Sequence, residues 1–390
     1  MKLVRIHKGN DYRINRGYLW IYSNEIANDL KEYQPGELVK VEKANGKFIG
    51  AGYINPHSLI AIRLLSRKPE TFDQSFFLMR ISAADQKRHI FSGTGPIYRV
   101  VNSEGDYLPG LVIDRYGEYI VMQSTTVGMD QFILMLKEVV QVLFKPKAIL
   151  FHNDRVIQEE QNYVKRKEVL EGIYPGPVDL PVNELMFRVD LLTGQKTGLY
   201  LDQVQNYGYL RNISKGKSVL DCCCYTGGFA LHAARYGAKS VLGIDASQEA
   251  ITTAKINADL NKMGDKCQFL VGSIFDELRN RVNQNEKYDI VILDPPSFTK
   301  SKSKMKQALT GYRELNVQAM KLLRENGYLF TFSCSHHISW EDFIEVVALS
   351  AKDAEKPFQI LHRFNQSYDH PALLAMPETQ YFKGLLLQKI

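Results

Sequence analysis

Three aspartates and one cysteine stand where a parallel sheet most often does chemistry. Asp221 follows Ser218-Val-Leu, Asp245 ends Val241-Leu-Gly-Ile-Asp, and Asp294 ends Ile290-Val-Ile-Leu-Asp and precedes Pro295-Pro-Ser-Phe298. Cys334 follows Tyr328-Leu-Phe-Thr-Phe-Ser333. Short apolar or β-branched runs that give way to a turn and then a helical pattern read as strands covered by helices on both faces. In such sheets ligands gather at the carboxyl ends of the strands, beside the point where strand order reverses. All three aspartates are expected at that edge.

The turn after Asp221 asks for a cofactor. Tyr225-Thr-Gly-Gly-Phe229 follows the strand, and a helix is expected from Phe229 to Tyr236. Gly227 and Gly228 let a ligand approach the backbone, because no Cβ intrudes. Asp245 is placed to accept from ribose hydroxyls. These features point to a nucleoside. The dinucleotide pattern G-x-G-x-x-G is absent, and a charge on Asp221 would repel a pyrophosphate. S-adenosylmethionine, cationic and free of phosphate, fits better. A purely structural glycine turn is the alternative, and the paired aspartates with Asp-Pro-Pro weigh against it.

Here a family resemblance enters. Asp221-x-x-x-Tyr-Thr-Gly-Gly-Phe, Asp294-Pro-Pro-Ser-Phe and Thr331-Phe-Ser-Cys-Ser335 together resemble class I methyltransferases. More narrowly, the whole chain is similar to the bacterial large-subunit (23S) ribosomal RNA cytosine-C5 methyltransferase I family. Gly17-x-Leu-Trp-Ile and Lys196-Thr-Gly-Leu-Tyr-Leu-Asp-Gln203 belong to the likeness. The resemblance implies an α/β fold: a Rossmann-like domain with a mostly parallel seven-stranded sheet, preceded by a small PUA-like β-barrel and a small α+β domain. It implies S-adenosylmethionine held by Gln203, Asp221, Tyr225, Gly227, Gly228, Asp245, Ser273 and Asp294, with Tyr200-Leu-Asp202 as a wall. Two departures touch that set. Val204 stands where the family often has Arg, and Ser273 stands where many relatives place an Asp toward adenine. Ribosomal RNA is the implied partner, and a homodimer is left open.

The same resemblance gives Cys334 a task. Cytosine C5 is a weak nucleophile until a thiolate adds at C6, which needs a cysteine at a strand's carboxyl end. Cys334 meets that placement, whereas Cys267 begins a strand. Asp294 would hold the base during addition. The base that removes the C5 proton is not identifiable, and His336 and His337 have only a weak claim. A buried structural thiol is the plain alternative for Cys334. Exocyclic-amine methylation is another enzymatic reading, but those enzymes place an aromatic directly after Asp-Pro-Pro, and here Ser297 intervenes. A non-catalytic RNA-binding or ribosome-assembly protein is the non-enzymatic reading, favoured only by Ser273. A dehydrogenase lacks its fingerprint.

The elements that must position these residues follow from the rest of the 390-residue chain. Hydrophobic and charged shares of 45% and 24% are those of a globular protein able to bury a core without staples. No membrane-length apolar run and no signal peptide stand out, so a cytoplasmic protein without a membrane partner is expected. Cys222, Cys223 and Cys224 are adjacent, which suits small reduced thiols and not a zinc site or disulfide framework. No metal site is expected.

Three domains are expected: 1–70 as the PUA-like module, 71–172 as a strand-strand-helix-strand-strand unit behind a helical connector, and 173–390 as the catalytic domain. Residues 1–70 hold 12 Lys and Arg against 7 Asp and Glu, most of the net +6 of the chain. That asymmetry points to nucleic acid, although a merely solvated basic face is the alternative. Lys8, Arg13 and Arg16, interleaved with Tyr12, Tyr18 and Trp20, are the candidate RNA contacts there; the alternative is that Tyr18 and Trp20 are barrel core, which Trp20 suits better. Lys300, Lys302, Lys304 and Lys306 form a second candidate, a loop that could grip phosphates or simply be solvated.

Overall fold

Alternating apolar residues bounded by Asn-Gly and Pro turns make the first sheet. In the computed structural model, which describes residues 1–91, 95–153, 164–298 and 302–390, that sheet has five strands. Their spatial order is Lys2–Arg5, Leu38–Glu42, Phe48–Ile54, Ile62–Ser66 and Trp20–Ile21. The turn between the second and third holds Gly46 at φ +81°, a left-handed conformation that suits glycine. The last long strand starts at Ile62, later than the apolar run from Leu59 suggests, because Pro56 to Ser58 are spent in a turn.

A second five-stranded sheet takes Lys167–Gly172, Ala148–His152, Tyr119–Ser124, Leu111–Tyr116 and Ile97–Asn102 in that spatial order. Helices Gln74–Phe91 and Ile133–Phe144 accompany it. Ala51, Tyr53 and Leu65 of the first sheet lie in one core with Phe77, Ile113, Leu136 and Phe151. Tyr53 donates to the Pro109 carbonyl at 2.9 Å. The boundary expected at 70 therefore falls between two sheets of one compact unit, which comprises 1–180, 189–201 and 368–379. Membership of 368–379 in this unit was not visible in the sequence. Asp369 makes it so by accepting from the Arg99 backbone amide at 2.8 Å.

The other compact unit comprises 181–188, 202–367 and 380–390. Its strands are β1 (Ser218–Cys222), β2 (Ser240–Asp245), β3 (Cys267–Val271), β4 (Tyr288–Leu293), β5 (Leu323–Ser333), β6 (Phe358–Phe364) and β7 (Lys383–Lys389). Between them lie α1 (Gly228–Arg235), α2 (Gln248–Leu260), α3 (Ile274–Asn283), α4 (Met305–Leu322) and α5 (Trp340–Asp353). The sheet order is β3-β2-β1-β4-β5-β7-β6. β1 pairs in parallel with both β2 and β4, so strand order reverses at β1. β7 runs antiparallel between β5 and β6. The mostly parallel seven-stranded sheet is thus present. Its central strands are continuous apolar runs, as burial on both faces requires: Leu220, Ile244, Val291 and Leu329 are wholly buried.

Among the described residues no helix is long and apolar enough to cross a membrane.

Candidate functional site

The crossover from β1 to α1 is the most strained stretch of the second unit. Cys223 and Tyr225 have φ of +64° and +49°, and Gly227 has φ +90°. Non-glycine residues in this region cost on the order of 1–3 kcal/mol each unless their surroundings hold them. Neighbouring strands do so here. The Cys224 amide donates to the Ile244 carbonyl at 3.0 Å, and the Tyr225 amide donates to Asp245 Oδ2 at 2.9 Å. The next glycine answers a packing demand: a Cβ on Gly228 would lie 2.5 Å from the Tyr207 hydroxyl oxygen. The helix begins there, one residue earlier than its sequence pattern indicates.

Asp245 therefore holds the loop as well as facing the sheet edge. Its Oδ1 accepts from the Ser247 amide at 2.9 Å. Each carboxylate oxygen has a second lone pair, which leaves capacity for ribose hydroxyls. Ser247 caps α2 as expected, its Oγ accepting from the Ala250 amide at 3.1 Å.

Asp221 behaves differently from its sequence reading. It is buried, and Oδ2 accepts from the Ala230 amide at 2.9 Å. Oδ1 is buried with no hydrogen-bond partner among the described residues. Burial, reinforced by the charges of Asp294 and Asp245, pushes its carboxyl up to about 8. It is mostly protonated near neutrality, so it carries little of the repelling charge expected of it. A buried carboxyl oxygen without a partner is a feature that the fold by itself does not explain.

Asp294 begins the loop after β4. Its backbone amide donates to the Cys222 carbonyl at 3.3 Å, and its Oδ2 accepts from Gln203 Nε2 at 2.9 Å. Asn206 Nδ2 in turn donates to Gln203 Oε1 at 2.8 Å, which fixes the amide's orientation. The expected Gln203 contribution is therefore a wall that also orients Asp294. Ser273 stands exposed at the start of α3, with no side-chain capping bond. The preceding Gly272 amide donates to the Asp245 carbonyl at 3.0 Å, which puts Ser273 next to the same edge.

Phe298 turns into the protein. Its ring packs on Tyr312 of α4 and Phe275 of α3, at centroid distances of 4.7 and 6.0 Å. The ring is half-buried, with these two neighbours covering part of it. Ser297 and Ser335 meet through their hydroxyls at 3.0 Å, and the Tyr312 hydroxyl lies 3.1 Å from Ser335. This network joins the Asp-Pro-Pro loop to the segment after β5, where half-buried Cys334 sits. Cys334 and Asp294 both add to the field that, with burial, pushes the Tyr312 phenol up to about 12. The two candidate catalytic residues therefore converge on one neighbourhood.

The fold disfavours the thiolate form at the other cysteines. Burial pushes the thiols of Cys222, Cys223 and Cys224 well up, and that of Cys267 up to about 12. Among the described residues no cluster of His, Cys, Asp or Glu is placed to hold a metal.

Sequence reasoning missed Lys383. It is buried in β7, paired in register with Ser333. The signal was present as one lysine in the apolar run Phe382-Lys-Gly-Leu-Leu-Leu387. Tyr312 was missed too, since nothing in a helix names the residue that will reach the neighbouring loop.

The RNA candidates divide. Lys8 is exposed, and the Arg16 guanidinium lies 4.4 Å from the centroid of the exposed Tyr12 ring. Arg13 is committed internally: it pairs with Glu25 at 2.6 Å and stacks 4.7 Å from both Tyr18 and Tyr22. An ion-paired, sandwiched guanidinium is less available to a phosphate than a solvated one. Trp20 is half-buried and donates to Glu104 at 2.9 Å. Lys300 lies outside the described residues. Of the described part of the run, Lys302 opens a 3₁₀ turn, and Met305 already begins α4 where a loop was expected. Exposed Lys304 and Lys306 flank that start. Cations at a helix N-terminus oppose the macrodipole and strengthen the positive potential there.

Known proteins resemble this chain in its domains, its sequence and its fold. Residues 4–67 match the model of a PUA-like domain, and residues 151–373 match the model of an S-adenosylmethionine-dependent methyltransferase. "Ribosomal RNA large subunit methyltransferase I" of Aliivibrio fischeri is 36% identical over 386 residues, covering 98% of both chains. The protein of the same name from Tolumonas auensis is 34% identical and covers 99% of both chains. The crystal structure of SMU.776 complexed with SAH aligns over 100% of both chains with a TM-score of 0.87. Its identity is 20%, so that likeness is one of fold.

Proposed function

Because this chain belongs to the ribosomal RNA large subunit methyltransferase I family of S-adenosylmethionine-dependent methyltransferases, we propose that it methylates C5 of a cytosine in large-subunit (23S) ribosomal RNA. When bound, S-adenosylmethionine supplies an electrophilic methyl group on a sulfonium. Gln203, Asp221, Tyr225, Gly227, Gly228, Asp245 and Ser273 hold it at the edge of β1, β2 and β3. The buried, unpartnered Oδ1 of Asp221 is the feature that best matches a cationic ligand.

On the RNA side, the target base leaves its stack to reach the cleft. The Cys334 thiolate adds to C6, and the C5=C6 electrons become available at C5 for methyl capture. Loss of the C5 proton to a base then expels Cys334 and restores the aromatic ring. Asp294, oriented by Gln203, holds the cytosine amino group or protonated N3 through these steps. Lys8, Arg16, Lys304 and Lys306 supply phosphate contacts, and Tyr12 with Arg16 offers a stacking surface.

The observation that carries the choice of C5 is the hydroxyl network of Ser297, Ser335 and Tyr312 that joins the Asp294 loop to the Cys334 segment, while the half-buried Phe298 ring packs on Tyr312 and Phe275. Amine methylation would use that ring on the base. The test is nucleoside mass spectrometry of ribosomal RNA transcripts incubated with enzyme and S-adenosylmethionine. 5-Methylcytidine should form with the wild type and vanish with Cys334→Ala, while cofactor affinity stays within about twofold. Methyl on a base nitrogen, or undiminished 5-methylcytidine with Cys334→Ala, would reject the proposal.

A further inference from the structure

We propose that Lys383 is the cationic partner that holds Cys334 as a thiolate. The inference rests on the assignment of Cys334 as nucleophile and deepens it. Lys383 lies on β7 in register with Ser333, the residue before Cys334. Only 2% of it is exposed. Its ammonium donates to the Ser335 carbonyl at 3.1 Å and to the Tyr381 carbonyl at 3.0 Å. A group bound to the residue after Cys334, from a strand paired with the residue before it, is tethered on both sides of that cysteine. The close approach of the two strands is enforced at the next residue, where a Cβ on Gly384 would meet the Phe332 ring at 2.2 Å.

What Lys383 lacks is a counter-ion. The other end of β7 shows the contrast. Lys389 is equally buried and donates to the Leu323 carbonyl at 3.1 Å, but it also pairs with Glu325 at 2.7 Å. No carboxylate lies within ion-pair distance of Lys383 among the described residues. Two neutral carbonyls satisfy hydrogen bonds and leave the charge uncompensated, and an isolated buried ammonium is costly. Burial accordingly pushes Lys383 down to about 8, with Cys334 first among the groups that pull it back up and Asp342 second.

The titratable groups around this point come from several elements. They include Cys334 and His336 after β5, Asp294 after β4, Tyr312 on α4, Asp342 on α5, and Tyr381 before β7, whose hydroxyl donates to Asp202 at 2.7 Å. Asp342 is engaged in capping α5 through Ser339, and the His336 ring stacks on Tyr381 at 5.2 Å. Of the acidic groups, Cys334 acts most strongly on Lys383, with Asp342 next. The proton balance is simple: the thiol proton passes to the amine, giving thiolate and ammonium with no change in total charge. Lys383 is then a positioning residue, acting through the sulfur. After the adduct forms, the ammonium has again lost its counter-ion, which favours return of the sulfur as a leaving thiolate.

The experiment is the pH dependence of iodoacetamide alkylation at Cys334, read on its peptide by mass spectrometry in the full-length protein. In the wild type the midpoint should lie at least a unit below the ordinary thiol value of about 8.5. In Lys383→Met it should rise by a unit or more, cutting alkylation at pH 7 about tenfold. Lys383→Arg should restore the low midpoint. Methyl transfer by Lys383→Met should fall in kcat and recover toward pH 9, with KM for S-adenosylmethionine unchanged. A wild-type midpoint at or above about 8.5 overturns the inference without any variant, and so does a folded Lys383→Met with the wild-type midpoint. Failure of the nucleophile assignment is read separately: turnover by Cys334→Ala would remove it whatever the alkylation midpoint.

Discussion

Asp221 should make cofactor binding release a proton. Burial and two neighbouring carboxylates put its ionisation at about 8 in the ligand-free protein. At pH 7 roughly nine in ten molecules carry the proton. A cationic ligand at this edge favours the carboxylate, so S-adenosylmethionine should displace close to one proton at pH 7 and about a tenth of one at pH 9. Affinity should rise about tenfold per unit, or ~1.4 kcal/mol, up to pH 8 and then level off. Calorimetry at pH 7 in two buffers of different ionisation enthalpy measures the release directly. The cofactor's own α-amine titrates in the same range, so the decisive quantity is the difference between wild type and Asp221→Asn. The variant keeps a side chain of the same size and lacks the titrating group. Equal buffer dependence in the two proteins would refute the role given to Asp221.

Three other outcomes follow from particular residues. Gly228→Ala, which puts a Cβ 2.5 Å from the Tyr207 hydroxyl oxygen, should lower unfolding stability by about 1–3 kcal/mol in denaturant titration; an unchanged midpoint would show that Tyr207 yields freely. His232 is buried and held down at about 4 by desolvation. Its unfolded form binds a proton first, so stability should fall between pH 6.5 and 4 by up to about 3 kcal/mol from this group, and the fall should be shallower in His232→Gln. Replacing Lys304 and Lys306 together by alanine should reduce the slope of log affinity for RNA against log salt by about 1–2; an unaltered slope would remove them from the interface.

The sheet edge was legible because its strands are apolar runs that stop at charged or polar residues. Burial on both faces leaves no other pattern available to β1, β2 and β4, and their carboxyl ends had to hold Asp221, Asp245 and Asp294. The glycine pair was legible as a strand-to-helix turn, but its sequence reading was ligand approach, and the packing of Gly228 against the Tyr207 hydroxyl was not visible there. What depends on convergence was not legible. Asp221 keeps its proton because the fold buries it, with Asp294 and Asp245 adding to the effect from the ends of two neighbouring strands. Lys383 reaches the neighbourhood of Cys334 only because β7 inserts antiparallel beside β5. Arg13 reads as a free cation in sequence, and it is Glu25, 12 residues later, that neutralises it. The lysine run alternates charged and small residues as loops do, yet Met305 already begins α4, where the buried Ala308, Tyr312 and Leu315 give a helical face to the core.

The central claim is that Cys334 attacks the ring carbon of the cytosine whose C5 is methylated. Ribosomal RNA transcribed with 5-fluorocytidine tests it most directly, because fluorine at C5 cannot leave as a proton and the adduct cannot resolve. With S-adenosylmethionine present, the protein should become covalently joined to the RNA in a denaturing gel, and digestion should map the link to the peptide containing Cys334. Absence of any adduct in an otherwise active preparation, or an adduct on another residue, would contradict the account.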